Sequence, residues 1–202
     1  MGRRGAIRYK RSAALSALEI ERVWILSRMP TIPSGAQCWE IEQGYLPEPS
    51  EVARAAANLP ADAESEMSAG GRLRRIRTQD GRTVWKHTIK RGVGLVREES
   101  ERSIEEREFD RWWPLTTGRR IEKTRYRVRA DGLVWEIDRF RHLPLVMLEV
   151  ELPSVSTQVS LPDWLTSLVE REVTSDARYR NAALAIKGMP QGDCGASSSA
   201  MS

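Results

Sequence analysis

The chain has 202 residues, 40% of them hydrophobic and 30% charged, a composition that excludes a disordered chain and favours one folded domain. The 32 basic and 28 acidic residues leave a net charge of only +4, so the arrangement of the charges is more informative than their sum. No stretch approaches the roughly 20 apolar residues that a membrane-spanning helix needs. Two cysteines without an export signal predict a cytoplasmic protein with no disulfide framework.

Composition divides the chain into three parts. Residues 1–17 are predicted to form a flexible basic arm, 18–188 a single domain, and 189–202 a disordered Gly/Ser-rich tail. Inside the domain, the Pro/Ala/Glu/Ser-rich run 47–71 predicts a surface insertion that ends at a Gly-Gly pair.

The rest of the domain is predicted to consist mainly of strands. In chain order they are 19–27, 37–46, a hairpin around Asp80-Gly81, 95–104, a hairpin around Asp131-Gly132, and 145–152. Helices are predicted at 105–113, 162–172 and 176–187. Many antiparallel strands with few helices predict a barrel or a sandwich.

Charged residues recur at every second position of these strands, and residues two apart in a strand share one face. The groups are Glu19 with Glu21, Glu99 with Glu101, Lys123 with Arg125 and Arg127, Glu136 with Asp138, and Glu149 with Glu151. One such group is usually the solvated side of a half-exposed sheet. The repetition leaves two interpretations: a whole sheet face is charged and wet, or the charged faces converge on an interior.

The hairpin turns indicate which charges meet. A two-residue turn at Asp131-Gly132 pairs Arg125 with Asp138, so that opposite charges face each other. The same construction at Asp80-Gly81 pairs Arg75 with Lys86 and predicts a nearly all-basic face. Like charges placed opposite each other are unfavourable unless a highly charged anion lies between them.

Opposed basic and acidic rows suit a metal-bound polyphosphate. Arg and Lys bind phosphate oxygens, and paired carboxylates bind Mg²⁺ or Mn²⁺, which prefer oxygen ligands. Such a site fits a metal-bound polyphosphate better than bare phosphate or nucleic acid.

Several motifs, in order, resemble those of the CYTH domain, or triphosphate tunnel metalloenzyme superfamily, and are most similar to the small bacterial inorganic triphosphatases. They are Glu19-Ile-Glu21-Arg22, Gln43-Gly44-Tyr45-Leu46, Thr88-Ile89-Lys90, GLVREESE at 94–101, GRRIEKTRY at 118–126, WEID at 135–138, MLEVEL at 147–152 and EVTSDARYRNAAL at 172–184. The resemblance implies an α+β fold, a closed eight-stranded antiparallel β-barrel (a tunnel) with flanking α-helices.

The resemblance also implies roles for individual residues. The implied metal ligands are Glu19, Glu21, Asp138, Glu149 and Glu151, for Mg²⁺ or Mn²⁺. The implied phosphate-binding residues are Arg72, Arg74, Arg75, Arg77, Lys90, Arg97, Lys123 and Arg125. Glu21, Lys90, Lys123 and Arg125 are expected to be catalytic, and Glu99, Glu101 and Glu136 to line the tunnel.

Two points stay open in the sequence. Both Arg72-Leu-Arg74 and Arg75-Ile-Arg77 spell the basic motif; turn parity favours the second pair, and a one-residue bulge would reverse that choice. Val23 stands where the family signature has lysine.

The expected activity is metal-dependent hydrolysis of inorganic triphosphate to pyrophosphate and phosphate. The alternatives are a non-catalytic polyphosphate or nucleotide binder, and an adenylate cyclase; the oligomeric state, including a homodimer, is open.

Overall fold

A computed structural model of the protein describes residues 17–18, 20–47, 70–91 and 98–192, with the backbone alone at 17–18, 90–91 and 98–99. Most of the predicted arm, most of the insertion and most of the tail lie outside these residues. The described part forms ten strands, all paired antiparallel: β1 (Ala17–Leu18), β2 (Glu21–Leu26), β3 (Gln37–Tyr45), β4 (Arg72–Thr78), β5 (Thr83–Arg91), β6 (Glu98–Ile104), β7 (Arg120–Ala130), β8 (Leu133–Phe140), β9 (Val146–Glu151) and β10 (Val169–Glu172). The helices are α1 (Glu106–Trp112), α2 (Asp163–Thr166) and α3 (Asn181–Lys187), with 3₁₀ turns at Trp113–Thr116 and Ala177–Tyr179.

The strands form one sheet in the order β1-β6-β5-β4-β3-β7-β8-β9-β2-β10. A predominantly antiparallel sheet with few helices is therefore confirmed. The closed eight-stranded barrel is not confirmed, because this hydrogen-bonded row has ten strands and two ends. One end is nevertheless close along the chain to the strand next to the other end: β1 pairs with β6, β2 pairs with β9 and with the end strand β10, and only residues 19–20 separate β1 from β2.

The two Asp-Gly hairpins differ in loop length. At Asp131-Gly132 both residues have positive φ, 52° and 76°, and the loop has two residues, as predicted. At the other hairpin, the Thr78 N–H donates to the Arg82 carbonyl at 2.9 Å, which leaves a three-residue loop. The predicted pairing of Arg75 with Lys86 is therefore wrong, because one extra loop residue moves every side chain of β4 to the other face.

The predicted helix at 162–172 is only partly present. It ends after one turn, at Thr166, and the chain continues as the strand β10 beside β2. The predicted helix at 176–187 is likewise divided into a 3₁₀ turn and α3. No helix of the described ranges is both long enough and apolar enough to cross a bilayer.

One face of the sheet, here called the outer face, carries two apolar clusters. The first is centred on Trp24, Trp135 and Leu148, all nearly inaccessible, and packs against Leu165 just after the start of α2. The second joins Leu73 to Phe109 of α1. Helices α1 and α2 therefore lie on the outer face. The opposite face is here called the inner face.

The inner face has an apolar end. Val23, Ile25 and Met147 lie there with Phe140, and Leu184 of α3 packs against them. Buried apolar area stabilises by about 25 cal/mol per Å², so this contact fixes α3 over one end of the inner face.

Gly44 sets the distance between β3 and the turn at Trp113–Thr116. A Cβ atom at Gly44 would lie 2.5 Å from Thr116 Oγ1 and 2.8 Å from the Trp113 ring. We expect Gly44→Ala to lower the free energy of unfolding by about 1–3 kcal/mol through overpacking, measured by urea denaturation. In a Thr116→Gly background the cost should shrink, because the Thr116 contacts are gone; an unchanged cost in that background would contradict this account.

Candidate active site

Arg125 gathers carboxylates from two neighbouring strands on the inner face. Its Nε and Nη2 each donate to Asp138 at 2.6 Å, its Nη2 also donates to Glu149 at 2.6 Å, and its Nη1 bonds Glu136. Asp138 is fully buried, and Arg125 and Glu149 are less than 10% exposed. Cross-strand register explains the cluster, because Arg125 lies directly opposite Asp138, and Glu136 lies opposite Glu149.

Lys123 lies beside this cluster, toward α3. Its Nζ donates to Asp138 at 2.5 Å and to the Asn181 side chain at 3.3 Å. Burial opposes ionisation of Asp138, but Arg125 and Lys123 outweigh it and lower the pKa of Asp138 to about 2. Burial and the nearby Arg125 lower the pKa of Lys123.

Acidic side chains dominate the part of the inner face formed by β8, β9 and β2. Glu21 lies opposite Glu151, and Glu136 lies opposite Glu149. Burial raises the pKa of Glu149; Arg125 opposes this, and the charges of Asp138 and Glu21 reinforce it. Like charges directly opposite each other are destabilising, and within the described ranges neither Glu21 nor Glu151 forms an ion pair.

Basic side chains dominate the part formed by β4 and β5. Arg74 lies opposite Lys86 on one side and Gln43 on the other, and Arg72 lies opposite Thr88. The inner face therefore carries Arg72 and Arg74, and the sequence preference for Arg75 and Arg77 is wrong. Those two lie on the outer face: Arg75 pairs with Glu42 and lies 5.8 Å above the Phe109 ring, and the exposed Arg77 lines a groove with Glu40 and Glu122.

The remaining predicted residues are described less fully. Lys90 and Glu99 are paired across β5 and β6, and their register places them with Thr88 and Glu101 on the inner face. Glu19 and Arg97 lie outside the described residues. The other predicted site residues, Glu21, Lys123, Arg125, Glu136, Asp138, Glu149 and Glu151, share the inner face.

Three inner-face residues were not among the predicted site residues. Lys86 lies an even number of residues from Lys90, so the sequence already predicts that the two share a face. The prediction of a two-residue turn at Asp80-Gly81, however, placed Lys86 opposite Arg75 instead of Arg74. Gln43 is buried, and its amide donates to the Tyr45 hydroxyl at 2.5 Å. Burial raises the pKa of Tyr45 to about 12, so the hydroxyl keeps its proton. No charge pattern marks these two positions in the sequence.

Oxygen donors for a divalent cation are present, but they are not gathered into a preformed site. In the part of the chain that the structure describes, no three His, Cys, Asp or Glu side chains are close enough together to hold a metal ion. The opposed Glu21 and Glu151, with Glu149 next to them, still fit the chemistry of Mg²⁺ or Mn²⁺, since a cation there would relieve their mutual repulsion. An inner face that opposes such carboxylates to a basic row has the division of charge that the resemblance to the CYTH superfamily implies.

Comparison with known proteins gives the family. The chain is 37% identical over 174 residues to an inorganic triphosphatase of Nitrosomonas europaea, a match that covers 83% of this chain and 97% of that protein. A shorter match to an inorganic triphosphatase of Acetivibrio thermocellus, 42% identical over 66 residues, covers 32% of this chain and 40% of that one. The crystal structure of the inorganic triphosphatase NE1496 superposes with a TM-score of 0.52 at 31% identity, covering 84% of this chain and 95% of that one. No protein-family model matches. The chain belongs to the small bacterial inorganic triphosphatases of the CYTH superfamily.

The Arg125 cluster generates a stability prediction with a matched control. Arg125→Met leaves Asp138 and Glu149 buried without their main cation, so we expect a loss of about 3–5 kcal/mol in the free energy of unfolding. Arg127→Met is the control, because Arg127 is 27% exposed and Glu136 is its only ion-pair partner among the described residues; its loss should be about 1 kcal/mol or less. Chemical denaturation measures both, and equal losses would contradict the central role of Arg125.

Proposed function

We propose that this chain hydrolyses inorganic triphosphate to pyrophosphate and phosphate with the help of Mg²⁺ or Mn²⁺. The observation that carries the proposal is the division of the inner face into a basic part on β4 and β5 and an acidic part on β8, β9 and β2. A triphosphate that carries a bound cation has the same division of charge. The relatives named inorganic triphosphatase support the substrate, and we expect a cytoplasmic protein.

We further propose that the sheet closes around the inner face. The two segments that would close it, β1 and β2, are separated by two residues and pair with β6 and β9 respectively. Burial supports closure, because Arg125, Asp138 and Glu149 lie on the inner face and all three are nearly inaccessible. A curved sheet would bury these side chains against its own opposite wall.

The proposed cation would be held by Glu21, Glu149 and Glu151, together with Glu19 if its side chain shares their face. When bound, the cation would neutralise negative charge on the phosphate oxygens and lower the pKa of a bound water. Asp138 is the least suitable metal ligand of the predicted set, because both of its oxygens already accept hydrogen bonds from Lys123 and Arg125.

The basic residues would position the triphosphate and stabilise the leaving pyrophosphate. Arg72 and Arg74 lie on the inner face, and Lys90 lies on β5 two residues beyond Thr88, the partner of Arg72. Arg74 is only 16% exposed, so water screens its charge poorly. In the reaction, a water oxygen bonds to a terminal phosphorus, the bridging P–O bond breaks, and the charge that develops on the departing oxygen is stabilised by these cations. Arg125 uses four donor contacts on carboxylates, so we assign it to positioning Asp138 and Glu149 rather than to gripping phosphate directly.

A second candidate function is binding of triphosphate without hydrolysis, and Val23 is the observation that favours it. Val23 lies directly opposite Glu149 on the inner face and is 9% exposed, within the apolar cluster under α3. The resemblance implies a lysine at this position. A chain that lacks this cation beside Glu149 retains the basic part of the face for binding and has one charge fewer for catalysis.

Hydrolysis is tested by phosphate release from inorganic triphosphate. We expect release with Mg²⁺ or Mn²⁺, none with EDTA, and a loss of at least tenfold in Glu151→Gln, whose carboxylate lies opposite Glu21. Glu170→Gln on β10 is the matched control, because Glu170 is an exposed glutamate on the strand beyond β2 and should leave the rate unchanged. Release that persists in EDTA would rule out the proposed use of metal.

Restoring the family lysine separates the two candidate functions. If the chain only binds triphosphate, Val23→Lys should create hydrolysis where the unaltered chain has none, since the new ammonium would face Glu149. If the chain is already a triphosphatase, the substitution should change the rate by less than about tenfold and should cost stability, because it charges a buried apolar cluster. Steady-state phosphate release and thermal unfolding of the same two proteins decide between these outcomes.

A further inference from the structure

One carboxylate on the inner face is surrounded by donors from three sides. Glu101 accepts a hydrogen bond from Arg74 Nη2 at 2.5 Å and another from the Thr88 hydroxyl at 3.1 Å. Lys86 Nζ bonds its other oxygen, and Arg72 Nη2 lies 3.9 Å away. The register explains the arrangement, since Thr88 lies directly between Arg72 and Glu101 across β4, β5 and β6.

This cage has more positive than negative charge. Arg72, Arg74 and Lys86 share the one carboxylate of Glu101, and all four side chains are less than a third exposed. Burial lowers the pKa of Arg74, and the neighbouring charge of Arg72 lowers it further, which is the signature of cations held close together. Burial opposes ionisation of Glu101, yet Arg74 and Lys86 lower its pKa to about 2, so it is a full anion at neutral pH.

A donor in the cage also lacks a partner. Arg74 Nε is buried and has no hydrogen bond with any described group, although its Nη2 is used. Nε and Nη2 of a guanidinium together form the fork that binds two oxygens of one phosphate group. Arg74 Nε is therefore available to bind a phosphate oxygen, and leaving this buried donor without an acceptor costs free energy.

We propose that Lys86 is a further phosphate-binding residue. Before the substrate binds, the Glu101 carboxylate occupies Lys86, and a phosphate group of the substrate then takes the place of that carboxylate. The proposal rests on the proposed function, because it takes the ligand to be inorganic triphosphate. Glu101 holds Lys86 and Arg74 in place before the substrate arrives, and a terminal phosphate group takes over their donors.

The chemistry of the two anions favours this exchange. A terminal phosphate group has three free oxygens and up to two negative charges, whereas Glu101 offers two oxygens and one charge. Lys86 is suited to change partner, because it is a flexible side chain with three donors, is 31% exposed, and bonds Glu101 alone among the described groups. Arg74 can keep Glu101 on Nη2 while its Nε takes the new ligand.

Substitutions of the two partners should have opposite effects, which separates this role from a structural one. We expect Lys86→Met to weaken binding of sodium triphosphate at least tenfold, Lys86→Arg to restore most of it, and Glu101→Gln to tighten binding severalfold by removing the competing charge. Titration calorimetry in EDTA measures binding without turnover. Lys187→Met, an exposed lysine at the end of α3, is the control that should bind as the unaltered chain does.

The same variants distinguish failure of this inference from failure of the proposed function. If the unaltered chain hydrolyses triphosphate and Lys86→Met leaves both KM and the dissociation constant unchanged, the inference is wrong and the proposed function stands. If Lys86→Met and Glu101→Gln weaken binding equally, their ion pair is structural and the inference is also wrong. A chain that binds triphosphate without hydrolysing it still supports the inference when the two substitutions act in opposite directions. No binding by the unaltered chain overturns it.

Discussion

The guanidinium of Arg125 is the group on which the interior of this protein depends. It holds three carboxylates: those of Asp138 and Glu149 are nearly inaccessible to water, and that of Glu136 is 20% exposed. Ions in such a place are tolerated only when they are paired and hydrogen-bonded, because desolvation of a single charge costs several kcal/mol. Arg125 therefore links β7, β8 and β9; its charge helps to lower the pKa of Asp138 and opposes the burial that raises the pKa of Glu149.

Local sequence signals predicted the β7–β8 hairpin well because the turn and the charges agree there. Asp131 and Gly132 both adopt positive φ, which an Asp-Gly turn favours, and the pairing they impose puts Arg125 against Asp138. At Asp80-Gly81 the same dipeptide failed as a guide. There the Thr78 hydroxyl bonds Asp80 at 2.5 Å, and the Thr78 N–H reaches Arg82, so the turn takes a third residue. Because strand side chains alternate, that single residue exchanged Arg75 for Arg74 on the inner face.

Other features were beyond local patterns because they depend on partners distant in the chain. β3 pairs with β7 on one side and β4 on the other, a choice that no turn dictates. The segment 169–172 became a strand because the edge of β2 offered backbone partners, with Val169 opposite Leu26, although its sequence also suits a helix. The alternation of charge along β2, β7, β8 and β9 predicted that their charged residues share one face, and the register places them so. Gln43 and Tyr45 carry no charge and gave no such signal.

The inner face changes from charged to apolar at Val23. On one side of it are Glu21 and Glu149; on the other are Ile25 and Met147, sealed by Leu184 of α3. A valine here extends the apolar end by one residue and removes from β2 the cation that the family resemblance implies. Lys86 meanwhile adds a cation on β5 to those of β4 and β7, while the charged inner-face residues of β2 and β9 in the described ranges are all carboxylates. Under the proposed function, this separation of basic from acidic side chains would draw the triphosphate toward β4 and β5 and the divalent cation toward β2 and β9. Arg125, held by its carboxylate partners on β8 and β9, would lie between the two.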